Sequence, residues 1–132
     1  MRIYITHCSG EKDDSLKGTG RNVTPDELYI SKRIKGFMDR CKKGRVNWAI
    51  FSDLYGVWLP ENKHEWYDKH PDTVTEEEFK ALLKDFDKKL QKYDEIYFYH
   101  NPRFFHRLYR RIVNESILKD KIKLFSSKYE IE

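Results

Sequence analysis

The sequence predicts an α/β protein, a three-layer αβα arrangement around a mainly parallel four-stranded sheet. Three observations predict it. Short β-branched and aromatic runs alternate with longer stretches whose apolar residues recur at helical spacing. Two Thr-x-x-Glu capping boxes, at Thr24 and Thr75, mark where helices start. Strands separated by helix-length segments favour parallel pairing, because parallel neighbours need crossover connections.

Arg2-Ile3-Tyr4-Ile5-Thr6 reads as the first strand and stops at a polar cluster. Residues 9 to 23 are short, polar and Gly-containing, and read as a loop. Thr24-Pro25-Asp26-Glu27 then opens a helix with a cap, a Pro at its first position and a Glu three residues after the cap. Ile30, Ile34, Phe37, Met38 and Cys41 supply its inner stripe, and Lys42-Lys43-Gly44 closes it.

Val46 to Phe51 is a short apolar run ending in Ser52-Asp53, as a buried strand would. From Ser52 to Val74 no periodicity holds, and irregular stretches of that length tend to carry function. A second helix follows over 75 to 92, with Phe79, Leu82, Leu83, Phe86 and Leu90 facing inward. Its outer residues Lys80, Lys84, Asp87 and Lys88 read as plain surface. Asp94 to Tyr99 is a third strand. Asn101 and Pro102 are placed to cap and open a helix with Phe105, Leu108, Tyr109 and Ile112 inside. Lys121 to Phe125 is the fourth strand. One domain over residues 1–132 accounts for every element.

Charged residues make up 36% of the chain against an average of about 25%, a composition of the kind common in thermophilic proteins. The 26 Lys and Arg exceed the 22 Asp and Glu, giving a net charge of +4 that permits contact with nucleic acid. Two cysteines without CxxC spacing, no leader and no long apolar run predict a cytoplasmic protein with no membrane association. The histidines lack the spacing of a metal site, so neither a metal nor another cofactor is expected.

In open parallel sheets ligands bind outside the carboxyl ends of the strands. Those ends deliver Thr6-His7-Cys8-Ser9, Ser52-Asp53-Leu54-Tyr55-Gly56, His100-Asn101-Pro102-Arg103 and Ser126-Ser127. Cys8, beside His7 and Lys12, is either a packed strand-end residue or a nucleophile with a lowered pKa. The Ser9-Gly10 backbone and Lys12 either cradle a phosphate, although no P-loop pattern is present, or belong to a merely solvated, flexible loop. Arg103, His106, Arg107 and Arg110 fall at spacings that place them on one face of the expected helix, a stripe able to track phosphates. Trp58, Trp66 and Tyr67 either stack on a base or pin the long loop.

Three segments carry a resemblance: His7-Cys8-Ser9-Gly10-Glu11-Lys12, then Phe51-Ser52-Asp53-Leu54-Tyr55-Gly56-Val57-Trp58-Leu59-Pro60, then Trp66-Tyr67-Asp68 with Val74 to Glu78. In this order they resemble the core domain of archaeosine synthase and related stand-alone domains with Cys-Ser-x-x-Lys and Tyr-Gly elements. A more distant similarity is to the peroxide-stress family. The resemblance implies a uracil-DNA glycosylase-like or Rossmann-like fold and a setting in nucleobase or tRNA metabolism. By position it implies Cys8 and Asp68 as catalytic residues. Ser9, Lys12, Ser52, Tyr55, Gly56 and Tyr67 would bind substrate, with His100 joining them from its strand end. The expected function is binding or processing of a modified purine or nucleotide moiety, as in tRNA or DNA base modification or glycosylase-like chemistry. The synthase's tRNA-gripping domains are absent from this sequence, which implies a larger modification enzyme as partner. The alternative is a non-enzymatic nucleic-acid-binding module using Arg103, Arg107 and Arg110.

Overall fold

The computed structural model describes residues 1–131. Five strands form one sheet in the order β3-β2-β1-β4-β5. They are β1 (Arg2–His7), β2 (Trp48–Ser52), β3 (Gly56–Trp58), β4 (Glu95–Tyr99) and β5 (Ile122–Phe125). β1 lies at the centre, parallel to both β2 and β4, and β4 pairs β5 in parallel. β3 runs antiparallel to β2 at the edge. The expected four parallel strands are therefore present, with a fifth added. β3 has only three residues, all buried, in a stretch with no alternation to reveal them.

The helices are α1 (Pro25–Leu28), α2 (Lys32–Gly44), α3 (Glu76–Leu90) and α4 (Arg107–Glu115). Side chains alternate across β1, so Ile3 and Ile5 pack under α3 and α4 while Tyr4 packs under α2. Apolar cores on both faces of the sheet make three layers. Cys41 is a fully buried member of the α2 core.

Two expectations about helices are corrected. The helix opened by Thr24 breaks after Leu28, because residues 28–30 pair with 11–13 instead. Asp13 donates to the Leu28 carbonyl, Ile30 donates to the Glu11 carbonyl, and Ser31 restarts the helix by accepting from the Ile34 N–H. Ile30 is consequently half exposed rather than core. The last helix begins five residues late. Asn101 Oδ1 accepts the Arg103 N–H in a turn, and His106 is the true cap, its Nδ1 accepting the Leu108 N–H at 3.0 Å. Arg103 and His106 thus lie before α4, and the single helical face expected for Arg103, His106, Arg107 and Arg110 does not form.

Gly56 starts β3 at φ +75°, where an added Cβ would also strike the Asp85 carboxylate. Asp85 accepts the Val57 N–H at 2.8 Å and pairs with Lys89 at 2.9 Å, so it cannot easily withdraw. Gly56→Ala is expected to lower stability by about 2 kcal/mol, read from the urea midpoint.

Candidate functional site

The strand order reverses direction around β1, and the crevice at such a switch point opens at the carboxyl ends of the strands. There a cavity of about 410 Å³ is lined by His7, Cys8, Ser9 and Gly10 from the end of β1, and by Asp53 from the end of β2. Lys69, His70 and Pro71 from the long connection form one wall; Phe104, His106 and Tyr109 form the other. The volume lies within the range of about 300 to 1,000 Å³ usual for small-molecule sites.

Asp53 is 2% exposed and its Oδ2 is buried with no hydrogen-bond partner. Its Oδ1 accepts from the Cys8 thiol at 3.5 Å. Burial raises its pKa, against the pull of Lys12 and Lys69. A carboxyl in this position is costly to the fold, and an unsatisfied buried polar group requires a reason, of which ligand binding is a common one.

His7 repeats the pattern. It is 8% exposed, stacks on Tyr109 with centroids 4.8 Å apart, and its Nε2 is buried without a partner. Its Nδ1 lies 3.1 Å from the Cys8 carbonyl oxygen and 3.3 Å from the Arg33 guanidinium. Burial, with Arg33 adding to it, pushes the imidazole pKa down to about 3. His7 is therefore neutral near pH 7. Arg33 also donates to the Thr6 hydroxyl at 2.7 Å and to the His7 carbonyl at 2.9 Å, which fixes the end of β1.

Cys8 does not have the lowered pKa of an activated nucleophile. Burial and the neighbouring Asp53 push the thiol up to about 11, and its sulfur lies 3.2 Å from the Tyr109 hydroxyl. At neutral pH it is a protonated hydrogen-bond donor to Asp53. Cys41 is pushed up to about 12 by burial alone. Native protein at pH 7.5 is expected to react with a disulfide reagent far more slowly than urea-unfolded protein, with two thiols counted only after unfolding.

The positions brought forward by the resemblance, with His100 from the strand-end rule, divide into three groups. Cys8 and Ser9 line the cavity. Lys12, Ser52 and Tyr67 form a buried support behind it. The Lys12 ammonium sits 4.2 Å over the Tyr67 ring, and Ser52 donates to the Tyr67 hydroxyl, which also bonds the Tyr29 hydroxyl at 2.6 Å. Ser52 in turn accepts the Leu54 and Tyr55 N–H groups, shaping the turn that presents Asp53.

The third group lies off the cavity wall. Asp68 is exposed. Tyr55 stacks on His64 at 4.0 Å and donates to the Glu65 carbonyl, pinning the loop. Gly56 serves β3, and His100 bonds the Phe125 carbonyl through Nδ1 at 2.9 Å.

Arg103, Arg107 and Arg110 are exposed, and among the described residues none has a carboxylate within ion-pairing distance. Phe104, between the first two, is 75% exposed at the cavity mouth. Arg111, by contrast, is held by Glu76 and Glu115. His106 Nε2 meets Asp72 at 2.6 Å and so ties the two walls of the mouth together.

Sequence reasoning passed over Lys69, His70, Phe104 and Tyr109 as lining residues. Tyr109 was legible only as an inward helix position, and the others lie in segments without periodicity. Among the described residues no helix is long and apolar enough to cross a membrane, and no group of three or more His, Cys, Asp or Glu is arranged to hold a metal ion. No family model matches the chain, and no similar protein was found among curated proteins or solved structures.

Proposed function

We propose that the chain binds a nucleobase-bearing ligand, a modified purine or nucleotide moiety of tRNA or DNA, with the base in the crevice that His7, Asp53 and Tyr109 line. The observation that carries this reading is the pair of buried, unpartnered polar atoms, Asp53 Oδ2 and His7 Nε2, contributed by two residues that line the cavity from the ends of β1 and β2. A heterocycle offers in-plane donors and acceptors for such groups and flat faces for the aromatic walls. Arg103 and Arg107, next in sequence to the lining residues Phe104 and His106, suit the phosphates, and Phe104 suits stacking of a neighbouring base.

The motif resemblance to the archaeosine synthase core supports the same ligand class, with one change of role. Asp53, held 3.5 Å from Cys8, takes the place of Asp68 as the carboxylate for any proton transfer. Cys8 orients Asp53 and does not attack. A glycosylase-like or base-modifying reaction would draw on this carboxyl.

The test is binding of purine nucleosides and of a labelled single-stranded oligonucleotide, at two salt concentrations, to wild-type protein and to Asp53→Asn. Saturable nucleoside binding that Asp53→Asn removes is the expected result. Absence of nucleoside binding at millimolar concentration would contradict the reading.

A second reading, a nucleic-acid-binding module without catalysis, is favoured by the exposed arginines lacking carboxylate partners. It expects oligonucleotide affinity to fall steeply with salt, and Arg103→Ala/Arg107→Ala to flatten that slope by about two counterions while Asp53→Asn changes nothing.

A further inference from the structure

The exposed flank of α3, where Leu83 is only partly covered by the core, carries a groove of about 510 Å³ that shares no lining residue with the crevice. Its apolar floor is Leu83 together with Ile117, the latter 80% exposed in the turn after α4. Lys80, Lys84 and Lys88 follow one another at four-residue intervals, about 6 Å apart along the helix. None of the three has a carboxylate within ion-pairing distance among the described residues, whereas Lys89 beside them is paired with Asp85. The one acid in the groove, Asp87, is engaged by the Ser116 hydroxyl. An exposed isoleucine therefore sits beside a ladder of three lysines without close ion pairs, against the single acid Asp87.

We propose that this groove docks an acidic amphipathic helix of another protein. The helix lies along α3 with its apolar residues on Leu83 and Ile117 and its carboxylates on Lys80, Lys84 and Lys88. Charge complementarity selects this occupant. A nucleic acid would find neither an aromatic platform nor an arginine here, and it would leave the apolar floor uncovered. Helix-in-groove recognition rests on apolar anchors, and flanking charges of the opposite sign add specificity; the groove supplies both. Docking here leaves the crevice open, so the partner and a crevice ligand can be held together.

The probe is a fluorescein-labelled synthetic peptide of about five helical turns, with Leu along one face and Glu on both flanks. Titration with full-length protein at about 0.15 M salt is read by anisotropy. Saturable binding is expected, weakened about tenfold by Lys80→Glu/Lys84→Glu and about fivefold by Ile117→Ser. These three side chains are on the surface, and circular dichroism confirms that the variants fold. Each of the following overturns the proposal: no saturable binding, equal binding of a scrambled peptide of the same composition, indifference to Ile117→Ser, or a DNA oligonucleotide competing for the groove with the same variant sensitivity.

Discussion

Between pH 7 and pH 4 the protein is expected to lose on the order of 3 kcal/mol of stability through His7 alone. The ordinary imidazole pKa of 6.5 applies in the unfolded chain, while in the folded protein it is pushed down to about 3. In that window the unfolded chain takes up a proton that the folded one refuses. Stability is therefore complete above pH 6.5 and declines as the pH falls toward 3. His7→Phe retains a ring to stack on Tyr109 and has nothing to protonate, so its urea midpoint should depend much less on pH over this interval. An unchanged pH dependence in His7→Phe would show that His7 is accessible and charged in the native state.

The second large effect belongs to Asp53, and it separates stability from binding. Asn at this position is nearly isosteric and can still accept from the Cys8 thiol, but it removes a buried carboxyl that has one oxygen unpaired. At pH 7 Asp53→Asn should stabilise the fold by about 1 to 2 kcal/mol, the direction expected where a site residue is kept at the expense of the fold. The same change should weaken crevice binding by about 30- to 100-fold, the loss of one hydrogen bond to a charged group.

Its pH signature runs opposite to that of His7. The folded pKa of Asp53 is raised, so the unfolded chain gives up its proton first as the pH rises from the ordinary 3.8. Stability from this group is present in acid and is lost as the pH climbs through the raised value. Asp53→Asn should accordingly show a steeper acid loss than the wild type, because the opposing contribution has been removed. Urea unfolding at pH 4, 5, 6 and 7 measures both variants in one series.

Much of the architecture was legible because it rests on local signals. The capping box at Thr75 and the stripe from Phe79 to Leu90 define α3, and the apolar runs define β1, β2, β4 and β5. Tertiary pairing overrode local signals where the reading failed. The 11–13 segment takes the hydrogen bonds of 28–30 and splits one expected helix, while Asn101 spends its cap on a turn. β3 is held by its pairing with β2 and by Asp85, neither of which a three-residue run announces.

The site followed the same division. The strand-end rule led to Cys8 and Ser9 and included Asp53 among its residues, since topology alone places those positions at the crevice. The choice of Asp68 came from the Trp66-Tyr67-Asp68 segment of the resemblance, and adjacency in sequence does not put two side chains on one side of the chain. Tyr67 is buried while Asp68 is exposed. The low pKa imagined for Cys8 assumed that Lys12 would face the thiol. Lys12 instead stands over the Tyr67 ring, and the charge beside the sulfur is the Asp53 carboxylate.

The most direct measurement of the crevice as a base-binding site is an NMR titration of isotopically labelled protein with a purine nucleoside and then an oligonucleotide. Shifts of the His7 imidazole, the Asp53 carboxyl and the Tyr109 ring are expected with either ligand, and of Arg103 and Arg107 only with the oligonucleotide. Shifts confined to the arginines, with His7 and Asp53 unmoved, would contradict base binding in the crevice.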